Sequence, residues 1–281
     1  MKKVKLAVSN IGWDVSVDQE IYSFMQKNGF EGLEIAPTRI FAESPYDHLQ
    51  EAKEWSTFLN GKYGLSVPSL QSIWYGQTGN IFVDEDRKKL SSYTKKGIDF
   101  ASAVGARNLV FGNPKARVIP ENMSTDVANE IAKDFFSELA DYAVQREISV
   151  SLEANPVIYN TNFMNTTREA MNMVKRVNSK GSLLNLDLGA VIYNYHLDED
   201  DADEQGAIEL LEEAVLLAHH VHFSEPRLAP LKERELHKKV LQMLENINYP
   251  GFVSIEMGNT GNVKDIKQAI EYVAVLRKGM F

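Results

Sequence analysis

ISVSLE (Ile148–Glu153), LLNLD (Leu183–Asp187), HVHFS (His220–Ser224) and VSIE (Val253–Glu256) share one pattern. Alternate residues of the first run give Ile148, Val150 and Leu152 on one face and Ser149, Ser151 and Glu153 on the other. The second splits into Leu184 and Leu186 against Leu183, Asn185 and Asp187. Val221 and Phe223 oppose His220, His222 and Ser224 in the third; Val253, Ile255 and the following Met257 oppose Phe252, Ser254 and Glu256 in the fourth. Side chains alternate across a strand, so each run offers an aliphatic face for helices to cover. The other face turns polar toward its C-terminal end and carries an ionisable group there.

Working outward, the runs Val4–Ser9, Gly32–Ala36, Val67–Ser72 and Asn108–Gly112 bring the strands to eight. They recur every roughly 28 to 41 residues, the rhythm of βα units closing into a (β/α)8 barrel. Helical stretches such as Gln19–Lys27, Tyr46–Tyr63, Asp126–Arg146 and Val263–Lys278 lie between them. Asn28-Gly29, Gly64, Gly105 and Lys180-Gly181 stand where helix C-caps belong, just before the next strand. The acidic run Asp198–Glu204 reads as a solvated loop or helix start. No linker-like stretch divides the chain, so residues 1–281 are expected to form a single barrel domain.

Composition narrows the function classes. At 281 residues, with 44% hydrophobic and 25% charged residues, the chain has ordinary globular make-up. No apolar run approaches the ~20 residues of a membrane helix. The start MKKVKLAVSN is basic but too interrupted for a signal peptide, and reads as a first strand. Without cysteine there are no disulfides or zinc–thiolate sites, which fits a cytoplasmic protein. A formal charge of −9 argues against a nucleic-acid partner. The sequence leaves a homo-oligomer open.

On a barrel, Glu153, Asp187, His222 and Glu256 converge on the rim where active sites sit. Three carboxylates a few ångströms apart repel by roughly several kcal/mol, so a divalent cation is their natural counter-charge. Oxygen-rich ligation with one nitrogen suits Mn2+, Mg2+ or Co2+, and Zn2+ can also be held. Any one of these residues alone would read as a satisfied acid or imidazole at a strand end; the set of four on successive strands favours a metal site.

The segments SNIGWD, GLEIAPTRIF, SLQSIWYG, LVFGNPKAR, SLEANP, LNLDLGA, HHVHFSEP and YPGFVSIEM span nearly the whole chain. They resemble the strand motifs of the sugar phosphate isomerase/epimerase family, which has the xylose isomerase-like TIM barrel. The resemblance implies that Glu153, Asp187, His222 and Glu256 are the metal quartet, and that Glu153 and Glu256 also move the substrate proton. A cation bridging a carbonyl and its neighbouring hydroxyl favours loss of the α-proton as an enediolate, and a carboxylate on each face can take and return that proton.

Substrate-facing candidates follow at the same rim. Glu34 ends the second strand and is placed either for sugar hydroxyls or for a pair with Arg39 or Arg117. Asn113, Lys115 and Arg117 follow the fourth strand and are candidates for a substrate anion, although loop cations are usually only solvated. Arg227 resembles an arginine that epimerases use near the metal. Trp13 and Trp74 are candidates to wall the pocket or to pack. His220, one step deeper than His222, reads as a hydrogen-bonding support. Two features depart from the ketose 3-epimerase pattern. Ala190 stands where those enzymes carry a substrate-binding histidine, and their second glutamate has no match in ANPVIYN; either the substrate differs, or its hydroxyls are held otherwise, with Asn155 and Tyr159 as the candidates.

The leading expectation is therefore a metal-dependent isomerase or epimerase of a sugar or sugar derivative, with a small-molecule partner. The alternatives are a dehydratase of an inosose- or dehydroshikimate-like substrate and a catalytically silent sugar-binding barrel. An endonuclease-IV-like trinuclear zinc site needs histidines on early strands, and His48 alone precedes Ser182.

Overall fold

Eight strands follow one another along the computed structural model, which describes residues 3–279. They are β1 (Lys5–Ser9), β2 (Gly32–Glu34), β3 (Ser69–Leu70), β4 (Asn108–Phe111), β5 (Ser149–Glu153), β6 (Ser182–Asp187), β7 (Ala218–Ser224) and β8 (Phe252–Glu256). All pair in parallel, in the order β2-β1-β8-β7-β6-β5-β4-β3. Single bridges from Gly32 to Ser66 and from Ile35 to Leu70 bring the two ends together, so the sheet curls into a nearly closed barrel. The fold is a (β/α)8 TIM barrel.

Ten α-helices surround it among the described residues. In chain order they are α1 (Asp18–Lys27), α2 (Pro37–Ile40), α3 (Leu49–Tyr63), α4 (Asp84–Val104), α5 (Thr125–Val144), α6 (Thr167–Val177), α7 (Leu188–Asn194), α8 (Glu204–Ala214), α9 (Glu235–Asn246) and α10 (Val263–Lys278). The aliphatic faces of β5 to β8 lie under this ring: Val150, Leu152, Leu184, Leu186, Val221, Phe223, Val253 and Ile255 are all buried. Each such side chain removed from water contributes about 1.5–3 kcal/mol. No helix among the described residues is long and apolar enough to cross a membrane.

Several boundaries differ from the sequence reading, for local reasons. β3 shrinks to two residues because Pro68 has no N–H to donate, and Ser72 takes a left-handed conformation (φ 50°) that leaves the strand. Tyr46 belongs to a separate 3-10 turn, where burial of its ring and a 2.6 Å bond from its hydroxyl to the Ile73 carbonyl hold it off α3. Gly29, Gly64 and Gly105 do adopt left-handed conformations after helices. α6 instead ends on left-handed Asn178, and Gly181 serves a different need. A Cβ there would sit 2.3 Å from the Ala140 carbonyl oxygen. The acidic run resolves into turns followed by the start of α8, where Asp203 caps the Gly206 N–H at 2.8 Å.

Candidate active site

Register sets the polar ends of β5 to β8 side by side. Glu153 pairs across to Asn185, Asp187 to His222, and Ser224 to Glu256. Strand alternation then turns Glu153, Asp187, His222 and Glu256 to the same interior, at the C-terminal mouth. Each offers one ligand atom, and these atoms all lie within 4.8 Å of one another. His222 Nδ1 is the hub: Glu153 Oε1 is 3.1 Å away, Glu256 Oε2 3.2 Å and Asp187 Oδ2 3.9 Å.

The imidazole is aimed from behind. His222 Nε2 lies 3.1 Å from Glu34, which is buried and also receives Ser254 Oγ at 2.9 Å and faces His220 Nε2 at 3.1 Å. A carboxylate on Nε2 keeps the proton there and leaves Nδ1 turned toward the acids, the arrangement typical of metal-binding histidines. Glu34 is thus neither at the substrate pocket nor paired with an arginine. Arg39 instead bonds Asp18 and the Asn10 and Trp13 carbonyls.

The electrostatics describe a site short of positive charge. Burial raises the Asp187 carboxyl to about 8, helped by the neighbouring charges of Glu153 and Glu256. Burial likewise raises Glu256. Burial alone would lower His222, but Glu34 and Glu256 outweigh it and hold the imidazole well above its ordinary value. Burial would raise Glu34, yet His222 and His220 pull it well below the usual carboxylate range. The acids therefore recruit protons where a divalent ion would otherwise supply charge. Donor type, spacing and charge all fit such an ion.

A cavity of about 270 Å3 opens over this cluster and is lined by Glu153, Asp187 and Glu256. Asn113, Asn155 and Tyr159, three of the substrate-facing candidates, also line it. Arg227 is exposed and outside the lining. Its backbone N–H donates to Tyr159 Oη at 2.7 Å, and Leu228 fills the adjoining wall. Lys115 is exposed and lies outside the lining as well. Trp13 and Trp74 are packing residues: Trp13 Nε1 bonds Asp18 at 2.7 Å, and Trp74 Nε1 bonds Thr94 at 2.8 Å with its ring edge-on to Phe111.

Arg117 corrects the sequence reading more sharply. Its side chain is fully buried, with Nη1 bonded to the Glu153 carbonyl at 2.9 Å and Nη2 to Asn155 Oδ1 at 2.6 Å. Burial lowers its guanidinium only to about 10, so it stays charged at neutral pH, yet neither bond points into the cavity. A larger hollow of about 590 Å3 opens at the opposite mouth, beside His219, His220 and Lys5, away from the acid cluster. Active sites of TIM-barrel enzymes lie at the C-terminal mouth, the end at which the acids cluster here.

Three contributors escaped the sequence reading. Asn185 Nδ2 donates to Glu153 Oε1 at 2.7 Å; its place on the polar face of LLNLD was a usable signal. Gln71 and Ser72 line the cavity from the end of β3, with the Gln71 amide anchored on Ser9 Oγ at 2.8 Å. Nothing in a short β3 run marked them.

Comparison with known proteins agrees with this fold. The chain resembles the Escherichia coli structure described as 3-keto-D-glucoside 4-epimerase, YcjR, in its apo form, with a TM-score of 0.76, 20% identity, and 98% and 100% of the two chains covered. A D-tagatose 3-epimerase-like protein gives a TM-score of 0.69 at 20% identity over 99% and 100% of the chains. The IolI protein with a bound zinc atom gives 0.66 at 17% identity over 98% and 95%. At these identities the likeness establishes the fold. No curated protein matches the sequence significantly. The profile of one family covers residues 23–278, and the chain belongs to that family, the xylose isomerase-like TIM barrels.

Proposed function

We propose that this chain is a divalent-metal-dependent isomerase or epimerase that acts on a sugar or sugar derivative by proton transfer, as a single-domain cytoplasmic enzyme. The observation that carries the reading is the convergence of Glu153, Asp187 and Glu256 on His222 Nδ1 beneath an open polar cavity. Glu153, Asp187, His222 and Glu256 would hold the ion, with Mn2+, Mg2+ or Co2+ matching the oxygen-rich set and Zn2+ also accommodated. When bound, the ion supplies a Lewis acid that polarises a carbonyl. Glu153 and Glu256, held on strands three positions apart around the barrel, would remove a proton from the carbon beside that carbonyl and return one to it. Asn113 and Tyr159 would bind hydroxyls. The sugar epimerases among structures of the same fold support the substrate class.

The test combines metal analysis with turnover in D2O. Native protein should hold close to one divalent ion per chain, and Asp187→Ala or His222→Ala should largely remove it. Deuterium should enter the product at the reacting carbon. Absence of metal after incubation with Mn2+ would reject the metal site; complete retention of the original hydrogen would reject proton transfer by the two glutamates.

Tyr159 favours a second reading, a dehydratase. It lines the cavity, its oxygen already accepts from the Arg227 N–H at 2.7 Å, and no described residue accepts its phenolic proton. The phenolic proton is therefore free for a departing hydroxyl. Loss of water from the product, seen by mass, would identify that chemistry.

A further inference from the structure

We infer that Arg117 and Asn155 form a positioning pair that fixes the carboxylate of Glu153, rather than a substrate-binding pair. The inference rests on the proposed role of Glu153 in metal binding and proton transfer. A guanidinium only donates hydrogen bonds, so the Asn155 side chain must turn its carbonyl oxygen to Arg117 Nη2, which it meets at 2.6 Å. That choice leaves the amide nitrogen facing the other way, where Nδ2 reaches Glu153 Oε2 at 3.2 Å and the Ala154 carbonyl at 3.1 Å. The same guanidinium pins the backbone of Glu153 through Nη1 and its carbonyl at 2.9 Å. One cation thus sets both the strand end and the amide that orients the side chain.

The pair is itself held rigidly. Thr161 Oγ1 donates to the Arg117 carbonyl at 3.3 Å, the Asn155 N–H donates to the Met164 carbonyl at 2.9 Å, and Asn165 Nδ2 donates to the Asn155 carbonyl at 2.8 Å. Arg117 Nε is buried without a hydrogen-bond partner among the described residues, so its two Nη bonds are the hydrogen bonds that its guanidinium makes to them. From the far side, Asn185 Nδ2 holds Glu153 Oε1 at 2.7 Å. Each carboxylate oxygen of Glu153 therefore has one amide donor; Asn185 Nδ2 also lies 3.2 Å from His222 Nδ1, and the Asn155 amide is the one whose orientation Arg117 sets.

The test is a double-mutant cycle read as Mn2+ affinity of the full-length chain, with melting temperature recorded alongside. Arg117→Met and Asn155→Leu should each weaken Mn2+ binding by about 10- to 100-fold. If Arg117 acts through Asn155, the double variant should be no weaker than the worse single variant, whereas independent structural effects would multiply. Arg117→Lys retains one donor and should restore part of the affinity. Multiplying effects, or native affinity in folded Arg117→Met and Asn155→Leu while Glu153→Gln binds Mn2+ weakly, would overturn the positioning role and leave the metal site standing. Native affinity in Glu153→Gln would overturn the underlying reading of Glu153, and this inference with it. If Arg117→Met does not fold, Asn155→Leu and Arg117→Lys still decide: native affinity in both overturns the pair.

Discussion

Replacing Glu34 by glutamine tests whether His222 is governed from beneath. The substitution preserves shape but removes the charge that faces His222 Nε2 and His220 Nε2, each at 3.1 Å, and that accepts from Ser254 Oγ at 2.9 Å. Glu34 and both histidines are buried, so water cannot replace the lost charge. Breaking a buried charge pair in this way costs about 3–5 kcal/mol. In a chain of this size each kcal/mol lowers the melting temperature by about 2–4 °C, so Glu34→Gln should melt roughly 6–20 °C below the native protein. The amide can also present its nitrogen to His222, which favours the wrong tautomer and turns a protonated Nδ1 toward the acids. Mn2+ affinity should then fall by about 10- to 100-fold. Thermal denaturation with and without Mn2+ reads both effects: the native protein should gain stability from the ion, and the variant should gain much less. A variant that melts within 2 °C of native and binds Mn2+ equally well would refute the reasoning, because it would mean that His222 is aimed by the strand alone.

Two further substitutions address the site and its scaffold. A Cβ on Gly112 would lie 2.1 Å from Glu153 Oε2, so Gly112→Ala should displace that carboxylate and weaken Mn2+ binding and turnover while the melting temperature changes little; native affinity in this variant would show that the carboxylate has room to move. His237, buried and stacked on Phe223, is pushed down to about 3 by burial and by Arg234. Its folded value lies below the unfolded one of about 6.5, so the unfolded chain binds the proton first and stability falls as pH drops from about 6.5 toward 3, by up to about 1.4 kcal/mol per pH unit from this group. His237→Phe should flatten that limb of the stability profile, measured by denaturant titration at several pH values, and an unchanged slope would assign the loss to other groups.

Much of the frame was legible in the sequence because it follows from period alone. Alternation along ISVSLE, LLNLD, HVHFS and VSIE separates the face that helices cover from the face that converges, and parallel register then brings Glu153, Asp187, His222 and Glu256 within reach of one another. This four-residue cluster needs no knowledge of loops. β3 was harder to delimit: its two paired residues carry little pattern, and Ser72 leaves the strand through a left-handed turn that no neighbouring residue type announces.

The residues misread from sequence are those whose partners lie far along the chain. Glu34 meets a histidine 188 residues later, and Arg117 meets a carbonyl 36 residues away. A rim arginine beside a lysine reads as an anion clamp until burial is known. Here the two cations of one short loop separate completely: Lys115 stays exposed, while Arg117 is drawn under β5 because the Glu153 carbonyl and Asn155 Oδ1 offer it two acceptors in the fork that a guanidinium fits. The same contact that removes Arg117 from the cavity turns the Asn155 amide toward Glu153. Charge buried beside the site thus acts on geometry, while the cluster of acids above it retains its demand for a cation.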